Sequence, residues 1–181
     1  METAKGSEGE SPERNERILR ERALRLAREP EEGDEAERLE VVEFLLGRER
    51  YGVETIFVRE VHPLREVIPL PCTPPFVAGI MNLRGEILSV IDLRVVFDME
   101  RRDATEQNKV IVLRGAAMEF GILVDLLVGA HGIAAGDVQP PPASPAGASR
   151  EYRKGVTADR LVLLDAEKML ADRRLVVHEE V

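Results

Sequence analysis

The residues that could carry chemistry are few and lie far apart in the sequence. There are three histidines, His62, His131 and His178, and one cysteine, Cys72. Metal ligation and general-base catalysis need partner groups within reach, and no histidine lies at a metal-binding spacing from another or from Cys72. Cys72 lies in PCTPP without a nearby cation or helix start, so we interpret it as an inert thiol. The pattern predicts no metal site and no cofactor.

Three aspartates, Asp92, Asp125 and Asp165, are the acidic candidates for catalysis. Asp92 and Asp165 each follow an apolar strand and precede a short predicted helix, where an acid is usually an N-cap. We therefore predict structural caps and expect replacement of either one by Ala to cost about 1 kcal/mol of stability. No catalytic residue is predicted. A small β-barrel enzyme that uses Asp92, Asp125 and His131 is kept as an alternative hypothesis.

The charge of the chain excludes some functions. With 34 acidic and 25 basic residues the net charge is −9, and the chain has no Trp and two Tyr. Nucleic-acid binding needs a basic field and aromatic stacking platforms, so we predict no nucleic-acid partner. Apolar runs are broken by charge, as Asp125 breaks ILVDLLVGA, and this predicts no integral membrane segment. The single cysteine and the polar first residues indicate a cytoplasmic protein.

The composition changes near Leu39, which divides the chain into an extension and a globular part. Residues 1–38 hold 12 acidic and 8 basic residues and few apolar ones. Ser11 suits an N-cap, and the spacing of the apolar residues after it predicts a charged amphipathic helix over about 12–29, followed by an acidic linker. A solvated helix is the simpler interpretation, and a helix that docks on a partner or a membrane surface is the alternative. Residues 39–178 are predicted to form the domain.

Short apolar runs with alternation predict strands throughout that domain. LEVVEFLL and ERYGVET, joined at Gly47, predict a hairpin, and VREVHPL and EVIPLP are predicted to be extended. ILSVIDL, KVIVL, MEFGILVDLLV and LVLL are further predicted strands, whereas only LRVVFDM and DAEKMLAD favour short helices. GIMNLRGEILSVIDLRVVF and GVTADRLVLLDAEKML echo each other, which suggests two related small barrels.

An ordered set of motifs resembles the CheW family of chemotaxis adapters. The set begins with FLLGRERYGVET, VREV and LPCTPPFVAGIMNLRGEILSVIDLRVVF, and continues with KVIVL, FGILVDLLVGAHGI, GVT and LVLLD, over roughly residues 39–173. The resemblance implies a mainly β fold of two five-stranded SH3-like β-barrels packed side by side around a shared hydrophobic centre. Short helices and the N-terminal helical extension would complete the chain. The resemblance also implies no enzymatic activity.

The resemblance further implies two partners. One is the regulatory domain of a CheA-type histidine kinase, and the other is the cytoplasmic tip of a methyl-accepting chemoreceptor, whose helices would dock in a groove between the barrels. The expected location is the cytoplasm, at membrane-bound receptor arrays. An adapter of the same fold in a non-flagellar motility pathway, or in another two-component pathway, is the alternative that the sequence leaves open.

The partner-binding residues are expected in VREV and around NLRG. By resemblance they are Val58, Glu60, Gly79, Asn82, Leu83, Arg84 and Gly85. The resemblance places Arg84 and the acid Glu60 on the outer surface of the first barrel, and a guanidinium fork suits a carboxylate. We therefore predict an exposed Glu60–Arg84 pair that contributes only about 0–1 kcal/mol to stability and serves to shape a contact surface.

Overall fold

The described part of the chain contains ten strands and two short α-helices. The computed structural model describes residues 37–100, 105, 107–116, 118–141 and 151–175. The strands are β1 (Arg38–Leu46), β2 (Glu49–Glu54), β3 (Val58–Pro63), β4 (Val77–Leu83), β5 (Glu86–Asp92), β6 (Lys109–Arg114), β7 (Glu119–Val124), β8 (Leu126–Ala134), β9 (Arg153–Val156) and β10 (Leu161–Leu164). The helices are α1 (Leu93–Val96) and α2 (Ala166–Ala171). A 3-10 turn at Thr55–Phe57 connects β2 to β3.

The strands form two five-stranded sheets, so the predicted mainly β fold is confirmed. One sheet has the order β3-β6-β7-β5-β4 and comes from a continuous stretch of chain; we call it the central barrel. The other has the order β8-β1-β2-β10-β9 and combines strands from both ends of the domain; we call it the terminal barrel. The two barrels are therefore not consecutive along the chain, because the chain begins one, builds the other completely and then returns.

The two sheets repeat the same pattern of strand directions. The one parallel pairing is β5 with β7 in the central barrel and β10 with β2 in the terminal barrel, and the other pairings are antiparallel. The register agrees as well, since Gly79 pairs with Val90 and Gly155 with Leu163, and each pairing lies beside a bulge. The echo in the sequence thus corresponds to the β4–β5–α1 and β9–β10–α2 units.

The inner strands of each sheet are buried on both faces, which explains apolar runs such as KVIVL. In β7, Phe120, Ile122 and Val124 face a core that residues of both sheets share, whereas Leu123 faces the interior of the central barrel. The interior of the terminal barrel is a smaller cluster around Leu161 and Leu163. Alternate residues of one strand thus enter two different cores, so the residues on both faces of the strand are apolar. The expected shared hydrophobic centre is present.

Both predicted caps lie at helix starts. The side chain of Asp92 accepts a hydrogen bond from the Arg94 backbone N–H at 3.0 Å, at the start of α1. The side chain of Asp165 accepts one from the Lys168 N–H at 3.0 Å, at the start of α2. An N-cap satisfies a backbone donor that the helix leaves without a partner. The prediction that Asp92 and Asp165 act as caps is confirmed.

Two details of the strand prediction were wrong. MEFGILVDLLV does not form one strand but ends β7 and begins β8 at Asp125, whose side chain accepts a hydrogen bond from the Gly47 N–H at 2.6 Å. The chain leaves its pairing with β6 at Val124 and begins its pairing with β1 at Leu126, so the two strands belong to different sheets. The strands β4 and β9 were not predicted, because neither VAGIMNL nor RKGV shows a clear apolar alternation.

Some predictions fall outside the described residues. The helix over about 12–29, its acidic linker and most of the proline-rich stretch after Gln139 are among them. The division into an extension, 1–38, and a domain, 39–178, stays a prediction. Among the described residues no helix is long and apolar enough to cross a membrane.

Candidate partner-binding face

The NLRG segment forms the tight turn between β4 and β5. Leu83 pairs with Glu86, so Arg84 and Gly85 are the two residues of the loop. Both have positive φ, +53° and +94°, as a type I′ hairpin turn requires. The Asn82 side chain supports the turn, because its Oδ1 accepts a hydrogen bond from the Gly85 N–H at 2.8 Å.

Arg84 occupies a backbone conformation that favours Gly, Asn or Asp. A left-handed conformation costs an ordinary L-residue roughly 1–2 kcal/mol, and such outliers concentrate at functional sites. The side chain gains little from the fold in return, since 73% of it is exposed. An arginine that is strained in its backbone and largely exposed in its side chain is a candidate contact residue.

Glu60 on β3 is the carboxylate that faces Arg84. Its Oε2 lies 3.1 Å from Arg84 Nη2 and 2.7 Å from His62 Nε2, and only 17% of its side chain is exposed. The hydrogen bond from His62, with the positive charge of Arg84, holds the pKa of the Glu60 carboxyl below its usual value. Glu60 is therefore ionised at neutral pH. The predicted Glu60–Arg84 pair is present, but only Arg84 is exposed, whereas the prediction had both residues on the outer surface. We call Glu60, His62, Asn82, Arg84 and the turn backbone the turn face.

A second arginine links the same edge strand to the start of β5. Arg59 donates to Glu86 at 3.0 Å and also to Glu119, and its Nε lies 3.5 Å from Glu60 Oε1. β3 and β4 are the two edges of the central sheet. Charged contacts from Arg59 and Glu60 therefore join one edge strand to the hairpin at the other edge, which fixes the position of the turn.

The remaining predicted residues lie behind this surface. Val58 is half-buried and packs against the shared core. Leu83 is 5% exposed and belongs to the interior of the central barrel. Gly79 is buried, with φ +146°, and a Cβ there would come within 2.2 Å of the Ile68 carbonyl oxygen. Their role as direct contacts stays a prediction, and in the fold they shape the hairpin that carries Arg84.

A groove that the residue pattern did not predict lies between the 3-10 turn before β3, the β6–β7 turn and α2. It has a volume of about 370 Å³, and its lining is Phe57, Gly115, Ala116, Glu167, Leu170 and Ala171. Ile56 in the same 3-10 turn is 81% exposed. Only the expectation of a groove between the barrels pointed here, since TIF and GAA carry no recognisable pattern. The groove is apolar, with one carboxylate among its lining residues.

A buried ionic cluster was also missed by sequence reasoning. Arg94 is 2% exposed and donates to Asp92 through Nε at 2.8 Å and Nη2 at 3.0 Å, and to Asp125 through Nη1 at 2.8 Å. Asn108 also donates to Asp125, at 3.2 Å. The two carboxylates and the Asp92 hydrogen bond hold the pKa of Arg94 above its usual value, against the effect of burial. Asp92 and Asp125 are thus used to pair a buried cation.

This geometry gives no support to the enzyme alternative. His131, its third member, lies 3.5 Å from Glu43, whereas Asp92 and Asp125 are bound to Arg94. Within the described part of the chain, no three His, Cys, Asp or Glu side chains are grouped to hold a metal ion. The hypothesis that Asp92, Asp125 and His131 form one catalytic group therefore has no structural basis.

Two fused small barrels with a shared core, an exposed charged turn and an apolar groove define a β-barrel interaction module. A model of the CheW-like domain family matches residues 40–174, and the chain belongs to that family.

Relatives and a solved structure agree with this assignment. The chain is 32% identical over 148 residues to the chemotaxis protein CheW of Treponema pallidum, covering 77% of this chain and 86% of the relative. It is 33% identical over 141 residues to that of Klebsiella aerogenes, with 76% and 85% covered. It is 31% identical over 137 residues to the protein FrzA of Myxococcus xanthus, with 72% and 84% covered. The crystal structure of the scaffolding protein TtCheW from Thermoanaerobacter tengcongensis has a TM-score of 0.64 at 28% identity, covering 70% of this chain and 88% of that one.

Proposed function

We propose that the chain is a non-catalytic adapter that couples a CheA-type histidine kinase to chemoreceptors in bacterial chemotaxis signalling. Family membership and relatives named chemotaxis protein CheW support the adapter role. One observation carries the choice of surface: Arg84 is exposed and backbone-strained, and it is held over the half-buried carboxylate of Glu60. The adapter acts in the cytoplasm, at receptor arrays.

The turn face is the proposed contact for the regulatory domain of the kinase. Arg84 uses one nitrogen towards Glu60 and keeps other N–H donors for a partner, because a guanidinium has five. Such a fork suits a partner carboxylate or backbone carbonyl. Glu60 lowers the cost of desolvating Arg84 at an interface, since a paired cation is easier to bury than a free one. The pair therefore contributes to binding rather than to the fold.

The apolar groove is the proposed contact for the receptor tip. Helices of a receptor hairpin present apolar residues at a spacing of three to four, and a groove with apolar walls accepts such a face. Phe57 and Leu170 supply the walls, and the exposed Ile56 extends the apolar area beyond them. The groove and the turn face share no residue, so one adapter can bind both partners together.

A charge-reversal series with the kinase regulatory domain tests the contact at the turn face. Arg84→Glu and Glu60→Arg should each weaken binding at least about tenfold in calorimetry, the scale of a broken charged contact at an interface. The double swap should recover part of that loss. The melting temperature of Arg84→Glu should change little, because 73% of the Arg84 side chain is exposed.

Arg160 offers the matched control. It is an exposed arginine with φ +66° at the turn before β10, the counterpart turn of the terminal barrel. Arg160→Glu should leave kinase binding unchanged. Normal binding by folded Arg84→Glu, or an equal loss in Arg160→Glu, would contradict the assignment of the turn face.

An adapter in a different signalling pathway is the second candidate. The 31% identity to FrzA of Myxococcus xanthus, a relative that bears another name, favours keeping it. The two candidates differ in which kinase and receptors the chain binds, so titration with each cognate kinase regulatory domain separates them.

A further inference from the structure

His62 makes the hydrogen bond that orients the Glu60 carboxylate. Its Nε2 lies 2.7 Å from Glu60 Oε2, two residues along β3 and on the same face of the strand. An ionised carboxylate only accepts hydrogen bonds, so Nε2 must carry the proton and donate it. The imidazole is 23% exposed, which keeps this donor close to the carboxylate and away from most solvent.

The two arginines near Glu60 hold it in a different way. Arg84 Nη2, at 3.1 Å from Oε2, and Arg59 Nε, at 3.5 Å from Oε1, are within ion-pair distance. Oε1 is buried and accepts no hydrogen bond from the described residues. Ion pairing depends weakly on angle, whereas a hydrogen bond is directional. The direction of the carboxylate therefore depends mainly on His62.

We propose that His62 is a positioning residue for partner binding: by fixing Glu60 Oε2 it sets where Arg84 presents its guanidinium. This inference rests on the proposed function of the turn face and adds a third residue to it. Without His62, Glu60 can rotate towards Arg59, and Arg84, with 73% of its side chain in solvent, then samples many rotamers. Ordering a long side chain on binding costs affinity, and preorganisation removes that cost.

The terminal barrel supplies a matched control. His131 on β8 pairs with Val41, as His62 on β3 pairs with Val110, in corresponding places of the two sheets. His131 also faces a glutamate, Glu43, at 3.5 Å. The two histidines thus share a strand position and an acidic neighbour, but only His62 lies beside Arg84.

Binding of the kinase regulatory domain, measured by calorimetry, is the first part of the test. His62→Leu should lower affinity about tenfold, in line with loss of a hydrogen bond to a charged group. His62→Gln, which keeps an N–H donor, should restore most of it, and His131→Leu should have no effect. In the Arg84→Ala background, His62→Leu should cause no further loss, because its effect passes through Arg84. Full affinity of His62→Leu, or an equal loss in the Arg84→Ala background, would overturn the positioning role.

NMR of the free protein separates this inference from the proposed function. The nitrogen shifts of His62 should show protonated Nε2, and the Arg84 side-chain N–H signals should broaden or average in His62→Leu but not in His131→Leu. Unchanged Arg84 signals in His62→Leu would refute the positioning role whatever the partner is. Should the Arg84 signals respond while the kinase domain binds neither wild type nor variant, the proposed function fails and the positioning role stands.

Discussion

The central and terminal barrels have the same strand order and directions but use their hairpin turns differently. In the terminal barrel, Thr157 Oγ1 accepts from the Leu161 N–H at 3.1 Å, and Arg50 donates to Asp159 at 2.9 Å and to Glu43 at 2.6 Å. That turn is tied to its neighbouring strand by its own polar groups. In the central barrel the turn leaves Arg84 73% exposed. The shared topology therefore specifies the fold, and we propose that the turn residues decide which barrel carries the partner contact.

The two helix caps also differ between the barrels. Asp92 and Asp165 occupy equivalent places, but Asp92 is 8% exposed and also pairs with the buried Arg94. Asp165 pairs instead with Lys168, whose side chain is 62% exposed. Two residues with the same sequence signature thus have different energetic importance.

The largest effect is expected when the cap of the central barrel is removed. Asp92→Ala should cost about 3 kcal/mol, since it takes a cap and the main partner from a buried arginine. Asp165→Ala should cost about 1 kcal/mol, the usual loss for a cap. This raises the cost for Asp92 above the value that its sequence position suggests. Urea unfolding of both variants measures the difference, and equal costs would show that Arg94 gains little from Asp92.

The next largest loss of stability is expected at Gly79 and Gly155, which occupy equivalent positions in β4 and β9. A Cβ at Gly79 would lie 2.2 Å from the Ile68 oxygen at φ +146°, and one at Gly155 would lie 2.6 Å from the Gln139 oxygen without positive φ. Gly79→Ala should therefore cost about 2 kcal/mol and Gly155→Ala less. Gly136→Ala is the control, because its Cβ meets no atom within 4 Å. Thermal melts rank the three, and a stable Gly79→Ala protein would mean that the Ile68 segment shifts freely.

A smaller effect on stability is expected when the arginine of either turn is replaced by Asn, a change that separates backbone strain from binding. Asn tolerates the left-handed conformation, so Arg160→Asn should gain about 0.5 kcal/mol of stability. Arg84→Asn should gain less, because it also loses the exposed ion pair with Glu60. Only Arg84→Asn should weaken kinase binding. Loss of binding in both variants would remove the functional difference between the barrels.

The smallest effect is expected from the extension. The described strands of both barrels and the described residues of their shared core come after Glu37 in the sequence. A chain that starts at Glu37 should therefore melt within about 4 °C of the full chain, less than a 1 kcal/mol change would produce. A large fall in the midpoint would make the apolar face of the helix predicted over about 12–29 part of the core. An unchanged midpoint with weaker partner binding would make the segment a docking element.

Local features were predictable from the sequence because they depend on neighbouring residues. The β1–β2 hairpin at Gly47, both caps and both helices follow from turn chemistry and spacing. The assembly of the terminal barrel was not, since β2 pairs with β10 about a hundred residues later and no local pattern encodes that partner. Burial of Arg94 was hidden for a similar reason, because Asp125, the second of its two carboxylate partners, becomes a neighbour only in the fold.

The candidate site likewise contains residues that the sequence indicated and residues that only the fold reveals. Glu60 and Arg84 were paired through family resemblance, because their spacing alone indicates nothing. His62 was assigned no role from the sequence, but it is half-buried and bonded to Glu60. The apolar groove combines residues from three separate segments, so only the folded chain shows it.

Co-sedimentation with receptor-bearing membranes tests whether the chain couples the kinase to the receptors. Membranes that carry the cognate chemoreceptor are mixed with the cognate kinase, with or without the adapter, and pelleted. The kinase should pellet with the membranes when wild-type chain or Arg160→Glu is added, and should stay mostly in solution with Arg84→Glu or without the chain. Equal amounts of kinase in the pellet with and without the chain, or with Arg84→Glu in place of wild type, would contradict the account.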